Sequence, residues 1–438
     1  MSEPNASEPN ASEPAAPSGG LLSHEAALAI LLDAVADPKP QPSERVRTEA
    51  AVGRTLAAAV TATSASPPFD KAMMDGFALR RADHQTDATL SIAGEQAAAP
   101  GEAQPLPPGR AIRIMTGAPV PPEADEVVPV EQTEPVDGSD AVRLTKPPLK
   151  DGANILRAGS IAQPGQTIAA AGTRLAPHHL AALFEFGHVA VSVTRPLEVA
   201  VLTTGDELVP CDQTPGPGQI RNSNGPMLAA QIAAAGGTVR PLGIAGDDRD
   251  ALAAGIRDGL TADVLVLSGG VSAGDYDFVP GELAAAGVEK LFHKVAVKPG
   301  KPVWAGVLRT AGSGDESDAG RPRFVFGLPG NPVSSFVCFE LFVRPVLAAM
   351  AGQPVRRPSD WPSAELAQPF VQKGDRVTFW PAVVRGDALH PVDWKGSADL
   401  IGLAAANALM QVPAVPGGGV RELAAGERFR YRTLSVSG

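Results

Sequence analysis

Between residues 196 and 352, short apolar runs alternate with stretches whose apolar positions recur every three or four residues. The runs at 197–203, 238–245, 263–267 and 323–327 read as buried strands, and 223–235, 247–260 and 332–351 read as helices. Repeated strand, helix and strand predicts right-handed crossovers and a doubly wound, mostly parallel sheet. The texture differs on either side. From 67 to 150, Pro and Gly interrupt short apolar stretches such as 111–115 and 126–130, which predicts a small β-rich unit. Ser23 can cap a helix running through Glu25, Leu28, Leu31 and Leu32, and 177–186 reads as a second helix. After 352 short strands and turns return, ending at 428–434, and predict a small β-barrel or sandwich. Residues 1–20 nearly repeat Ser, Glu, Pro, Asn and Ala, with no large apolar side chain beyond Met1, and read as a disordered tail.

Composition narrows the class. A length of 438 residues suggests about three domains. Hydrophobic residues at 44% against 19% charged are enough for several cores. Lys and Arg number 37 and Asp and Glu 48, a net charge of −11 with no basic stripe, which argues against nucleic acid as a partner. The two cysteines, Cys211 and Cys338, lack Cys-x-x-Cys spacing, so neither a zinc knuckle nor a disulfide framework is expected. No basic segment followed by an apolar one opens the chain, and no run of about 18 apolar residues crosses it. The expectation is a cytoplasmic protein with no membrane partner.

In a doubly wound sheet, ligands bind beyond the carboxyl ends of the strands. Four turns occupy those positions: Thr204-Gly205-Asp206-Glu207, Gly246-Asp247-Asp248, the run SGGVSAGDYD from Ser268 to Asp277, and Leu328-Pro329-Gly330-Asn331-Pro332. An acid at a helix start is ordinary capping chemistry. Four acidic or Gly-rich turns along one edge point further. Glycines admit backbone N–H groups to a phosphate, and carboxylates beside it suit a hard cation such as Mg²⁺. A basic counterpart follows in HKVAVKPGKP (293–302), where Lys294 and Lys298 would share one face of a strand, with Lys301 beyond. The competing reading is an edge strand blunted by lysine.

Gly270-Val271-Ser272-Ala273-Gly274 matches a nucleophile elbow, but that motif needs a helix directly after the serine. Here a helix can start only near Pro280, so a serine hydrolase is disfavoured. Neither a G-x-x-x-x-G-K-[ST] loop nor a His-x-x-x-His pair occurs. The segments 67–79 (PPFDKAMMDGFAL) and 114–122 (IMTGAPVPP) read on composition alone as turns.

Taken together, PPFDKAMMDGFA, IMTGAPVP, TTGDEL, SGGVSAGDYDF, KPGKP, GLPGNPVSSF and GSADLIGLAAANAL, in this order, resemble the molybdopterin molybdenumtransferases of the MoeA type, related to the C-terminal domain of gephyrin. The resemblance spans about residues 21–435. It implies an elongated homodimer of multidomain α/β plus β architecture. An arm is built from 21–60 and 151–195, and a β subdomain at 61–150 is inserted between them. A molybdopterin-binding, adenylyltransferase-like α/β domain at 196–352 and a β-barrel at 353–438 follow. It also implies molybdenum cofactor biosynthesis: molybdenum from molybdate enters the dithiolene of adenylated molybdopterin, AMP leaves, and Mg²⁺ is required. A molybdopterin adenylyltransferase would supply the substrate, and molybdoenzymes or their chaperones would take the product.

Carried over by motif, the implied catalytic set is Asp75, Thr116, Glu207, Asp247, Asp277, Lys294 and Lys298, with Glu207, Asp247 and Asp277 on the metal. Substrate contacts are expected from Gly205, Asp206, Ser268, Gly269, Gly270, Ser272, Asp275, Lys301, Pro329, Gly330, Asn331 and Pro332. The N-terminal motifs of one subunit would face the α/β domain of the other. The chain departs from the family pattern at Ala72 and Met73 before Asp-Gly, at Phe77, at Gly159-Ser160-Ile161-Ala162 and at Asn222-Ser223-Asn224. The alternative is a non-catalytic molybdopterin-binding or scaffolding paralogue of the same fold.

Overall fold

A computed structural model describes residues 20–35, 41–246, 248–270, 278–309 and 321–434. The chain first lays down a helix, His24–Val35, whose first turn is capped by the Ser23 hydroxyl accepting from the Ala26 amide at 3.1 Å. Ala27, Leu31 and Val35 recur at helical spacing and enter the core of the α/β domain. The chain then runs outward and later returns alongside itself. Ser43–Arg47 pairs antiparallel with Ala190–Thr194, Val60–Thr61 with Thr167–Ala169, and Lys71–Ala72 with Ile155–Leu156. Leu56, Leu175, Leu183 and Val193 fill the core of this two-way ribbon.

At the turning point sits a six-stranded sheet in the order Glu126–Pro129, Gly76–Leu79, Arg110–Ile114, Thr89–Gln96, Ala141–Leu144 and Thr133–Pro135. Its cores are drawn from residues 72–155 alone, so it is a body of its own. Gly76 is fixed by packing: a Cβ there would collide with the Val128 carbonyl of the adjacent strand.

The α/β domain carries strands β1 (Glu198–Thr204), β2 (Thr238–Ala245), β3 (Val264–Ser268), β4 (Glu289–His293), β5 (Trp304–Arg309) and β6 (Pro322–Leu328), in the order β2-β1-β3-β6-β5-β4. The pairs β2–β1, β1–β3 and β3–β6 are parallel, while β5 runs antiparallel to both its neighbours. Helices α1 (Asn224–Ala234), α2 (Arg249–Gly259), α3 (Val279–Ala285) and α4 (Pro332–Cys338) cover it, with one core on each face. This is the mostly parallel, doubly wound sheet expected from the sequence, with an antiparallel strand near one edge. The run that begins with α4 continues as a π stretch, Phe339–Val343, and a last helix, Arg344–Met350. Pro345 lacks the amide that a regular α-helix would aim at the Leu341 carbonyl, and the widened turn accommodates the missing bond. This run is apolar and long enough to cross a membrane, but 72% of it is buried in the protein, as befits a core helix.

The C-terminal strands Ser363–Leu366, Val377–Arg385, Ala388–Pro391, Ala408–Val412 and Arg428–Thr433 close on themselves into a five-stranded barrel. Val297–Lys298 adds to it by parallel pairing with Val377–Arg385, which joins barrel to α/β domain.

Candidate functional site: the sheet edge and the Asp75–Thr116 turn

The carboxyl ends of β1, β3 and β6 bring three of the expected turns together. Gly205 follows β1 and its amide reaches back to the Ala245 carbonyl of β2 at 3.2 Å. Glu207 folds over it, its Oε2 only 2.5 Å from where a Cβ on Gly205 would lie. Asp206 Oδ1 lies 2.9 Å from the same notional position on Gly246, so its carboxylate spans the ends of β1 and β2.

Gly269 follows β3 at φ +100°, where a Cβ would sit 2.6 Å from the Thr204 carbonyl and 2.7 Å from its hydroxyl. Only glycine fits that close approach. Gly330, after β6, comes within contact of Gly269. At the start of α1, the Asn224 amide group donates to Ser268 Oγ at 2.9 Å and to the Gly330 carbonyl at 2.8 Å, so one side chain ties the two turns. Asn222 does the same for β1, donating to Thr203 Oγ1 at 2.8 Å. Pro329, Gly330, Asn331 and Pro332 lead into α4, where the Val333 amide donates to the Ser397 carbonyl at 3.0 Å. The segment 396–409 is thereby held against the edge.

Two buried polar atoms in this cluster have no partner among the described residues: Thr204 Oγ1 and Asn224 Oδ1. Native proteins rarely leave such groups unsatisfied. Both lie among glycine turns that keep side chains out of the way.

The lysines are arranged differently from the expectation. Lys294 has left-handed backbone, φ 70°, and ends β4, while Lys298 lies in the separate Val297–Lys298 strand. They do not share the face of one strand, because Ala296 between them is buried and the chain turns there. Lys298 stands at the seam between barrel and α/β domain, where Arg376 also donates to the Val297 carbonyl at 3.0 Å. Lys301 is exposed, and neighbouring Gly300 packs on Cys338 of α4. This places the lysine loop against the helix that follows the Gly330 turn.

In the β subdomain, Asp75 and Thr116 meet although they are 41 residues apart. The Thr116 amide and hydroxyl each donate to Asp75 Oδ1 at 2.7 Å. These two bonds hold the exposed Asp75 carboxyl below its ordinary range. Asp247, Ser272, Asp275 and Asp277 lie outside the described residues. Among the described residues no three His, Cys, Asp or Glu side chains converge as a metal site. Thr204 falls within the first of the four turns, and Asn222 and Asn224 among the departures from the family pattern, but the sequence assigns none of the three a role in the site. Asn at a helix start was the available signal, but it reads equally as a cap.

Three family models match successive parts of the chain: the MoeA N-terminal region (domain I and II) over 22–187, a probable molybdopterin binding domain over 200–349, and the MoeA C-terminal region (domain IV) over 363–434. A molybdopterin molybdenumtransferase of Bacillus subtilis is 34% identical over 410 residues, covering 91% of this chain and 90% of the relative. The chain belongs to the MoeA family of molybdopterin molybdenumtransferases. A second such relative, from Synechococcus elongatus, is 36% identical over 356 residues, 79% of this chain and 84% of the relative. A crystal structure of a molybdopterin biosynthesis MoeA protein from Pyrococcus horikoshii superimposes with a TM-score of 0.76 at 26% identity, covering 94% of this chain and 99% of that one. As a member of the MoeA family the protein is an enzyme of molybdenum cofactor biosynthesis.

Proposed function

We propose that the sheet edge binds adenylated molybdopterin, and that the enzyme transfers molybdenum from molybdate into its dithiolene with release of AMP. The observation that carries this reading is the pair of unpartnered buried atoms, Thr204 Oγ1 and Asn224 Oδ1, among the glycine turns at Gly205, Gly269 and Gly330. Glycine turns let a phosphate come close to the backbone, and a hydroxyl and amide oxygen without a partner among the described residues suit a polar, hydroxylated ligand. Lys298 and Lys301 supply point charges for phosphate and molybdate from the barrel side.

Glu207 offers a hard oxygen donor of the kind Mg²⁺ selects, and with Asp247 and Asp277 it would make up the cation's carboxylate ligands. Bound Mg²⁺ would offset phosphate charge. Asp75, kept ionised by Thr116, is the acceptor that the N-terminal half contributes. Its subdomain has its own cores, which supports a homodimer in which Asp75 of one subunit completes the sheet edge of the other. A molybdopterin adenylyltransferase is the donor this chemistry calls for, molybdoenzymes or their chaperones are the acceptors, and the cytoplasm is the compartment.

The experiment is to mix the protein with adenylated molybdopterin, molybdate and Mg²⁺ and to follow AMP. Release that requires all three, and that is lost in Glu207→Ala while the fold persists, is the expected result. Tight substrate binding with no AMP release would favour the non-catalytic paralogue instead.

A further inference from the structure

Away from the glycine turns, a cleft of about 420 Å³ opens between α1, the helical run from Pro332 to Met350 and the C-terminal barrel, with Arg174 of the arm at one wall. None of the sheet-edge residues described above lines it. Its volume is that of a small-molecule site. Its charge is unusual for a chain with an excess of acids. Arg174, Arg344, Arg356 and Arg432 line it, and the one carboxylate in the lining is Glu340.

Glu340 is already neutralised. Arg344 grips it with two bonds of 2.8 Å, Arg432 Nε donates at 3.0 Å and Gln231 at 2.9 Å. Burial would raise its pKa, but the Arg344 bonds and the charge of Arg432 hold it below the ordinary range. Among the described residues Arg174 is held by two carbonyls, Gly53 at 3.2 Å and Ala234 at 3.1 Å. The surplus guanidinium charge is partly buried. Burial and the nearby Arg344 push the Arg174 pKa down, and burial lowers that of Arg432 against the pull of Glu340. Cations held together out of water are unfavourable unless an anion joins them.

Two further features say what kind. Gln231 lines the cleft and is 6% exposed, and its buried Oε1 has no hydrogen-bond partner among the described residues. Much of the remaining wall is apolar, with Met227, Phe336, Pro345 and the Trp361 ring, over which Arg432 lies at 6.0 Å. We propose that this cleft binds a small organic oxyanion, a phosphate or carboxylate on an apolar body that also carries a hydroxyl or amine donor. The arginines take the oxyanion, Gln231 Oε1 accepts from the donor, and Trp361 and Phe336 cover the body. Because the walls come from arm, α/β domain and barrel, the ligand fastens all three. The inference does not depend on what the sheet edge binds.

Calorimetric titration of the full-length protein with 5′-AMP and with citrate tests it, using wild type, Arg356→Glu, Gln231→Leu and Lys298→Ala. Arg356 is exposed at the mouth, so its reversal leaves the fold in place, which an unchanged unliganded melting temperature verifies. The expected result is that at least one probe binds and raises the melting temperature. Arg356→Glu should then weaken it tenfold or more, Gln231→Leu severalfold, and Lys298→Ala not at all. Binding of AMP alone assigns an organic phosphate, and of citrate alone a polycarboxylate. The proposal is overturned if neither probe binds at millimolar concentration, if Arg356→Glu binds as wild type does, or if the loss appears in Lys298→Ala instead, which would put the anion at the sheet edge.

Discussion

Thr116 donates twice to the same oxygen of Asp75, once from its amide and once from its hydroxyl, both at 2.7 Å. The contact joins the turns before strand Gly76–Leu79 and after strand Arg110–Ile114, which pair antiparallel, Gly76 opposite Ile114. It leaves the second carboxylate oxygen of Asp75 unclaimed by Thr116. An aspartate so placed is ionised and aimed by its neighbour, which is how a side chain is readied for a ligand outside its own subdomain.

Thr116→Val keeps the amide bond and removes the hydroxyl one. The Asp75 pKa should rise toward the ordinary aspartate value, read by NMR titration of the carboxyl, and AMP release should fall with the melting temperature unchanged. An unaltered titration would mean that the amide alone sets the carboxylate.

If Asp75 serves the partner's sheet edge, inactive Asp75→Ala and inactive Glu207→Ala subunits should rescue each other. Random exchange makes half the dimers mixed, and each mixed dimer holds one intact site of two, so about 25% of wild-type activity is expected. Recovery near zero after verified exchange would place Asp75 and Glu207 in the same subunit's site or remove one of them from it.

Asn224 is the tie between the β3 and β6 turns. Asn224→Ala leaves Ser268 Oγ and the Gly330 carbonyl without their donor, at a cost of about 1–3 kcal/mol. Denaturant unfolding should report that loss, and substrate affinity should drop as well, because the turns that frame the site are no longer held together.

Glycine substitutions separate cradle from surface. Gly269→Ala puts a Cβ 2.6 Å from the Thr204 carbonyl at φ +100°, and should destabilise by about 1–3 kcal/mol and block substrate. Gly281, within α3, has nothing within 4 Å of a notional Cβ. Gly281→Ala should stabilise the protein by about 0.5–1 kcal/mol and leave activity intact. Thermal unfolding and AMP release on both variants check the contrast.

How far these features could be read in advance depended on their range along the chain. Apolar periodicity places α1 and α2 within two residues of their ends, and the strand ends put Gly205, Ser268 and Gly330 on one edge, because strand and helix periods are local signals. The left-handed turn at Lys294 was invisible: a Lys-x-x-x-Lys spacing looks like a strand face, and only the packing of Ala296 and the pairing of Val297 with the barrel break it. The π stretch at Phe339–Val343 hid inside a mostly apolar helical run, with Pro345 as its trace. The arginine cleft could not be read at all, since Arg174, Gln231, Arg344 and Arg432 come from four distant segments.

The last prediction concerns acid. His24 opens the first helix and is 1% exposed, with its ring 5.2 Å from that of Phe379, 5.5 Å from Phe342 and 5.8 Å from Trp361. Among the described residues neither ring nitrogen has a partner at ordinary hydrogen-bond geometry. Burial pushes its pKa down to about 4, against smaller upward pulls from Glu25 and the Leu341 backbone. The ordinary value is 6.5. Between those two values the unfolded chain takes up a proton that the native state refuses, so stability rises with pH across this window. Above the ordinary value the ring is neutral in both states and contributes no slope. Below the native value it is charged in both, and the full penalty is present. At about 1.4 kcal/mol per pH unit, that window corresponds to a few kcal/mol. His24→Met keeps an apolar side chain among the three rings and removes the titration. Urea unfolding at several pH values should show wild type losing stability relative to His24→Met as the pH falls from 6.5 toward 4, and running parallel to it above. Parallel curves throughout would mean that burial leaves the imidazole's titration as it is in the unfolded chain.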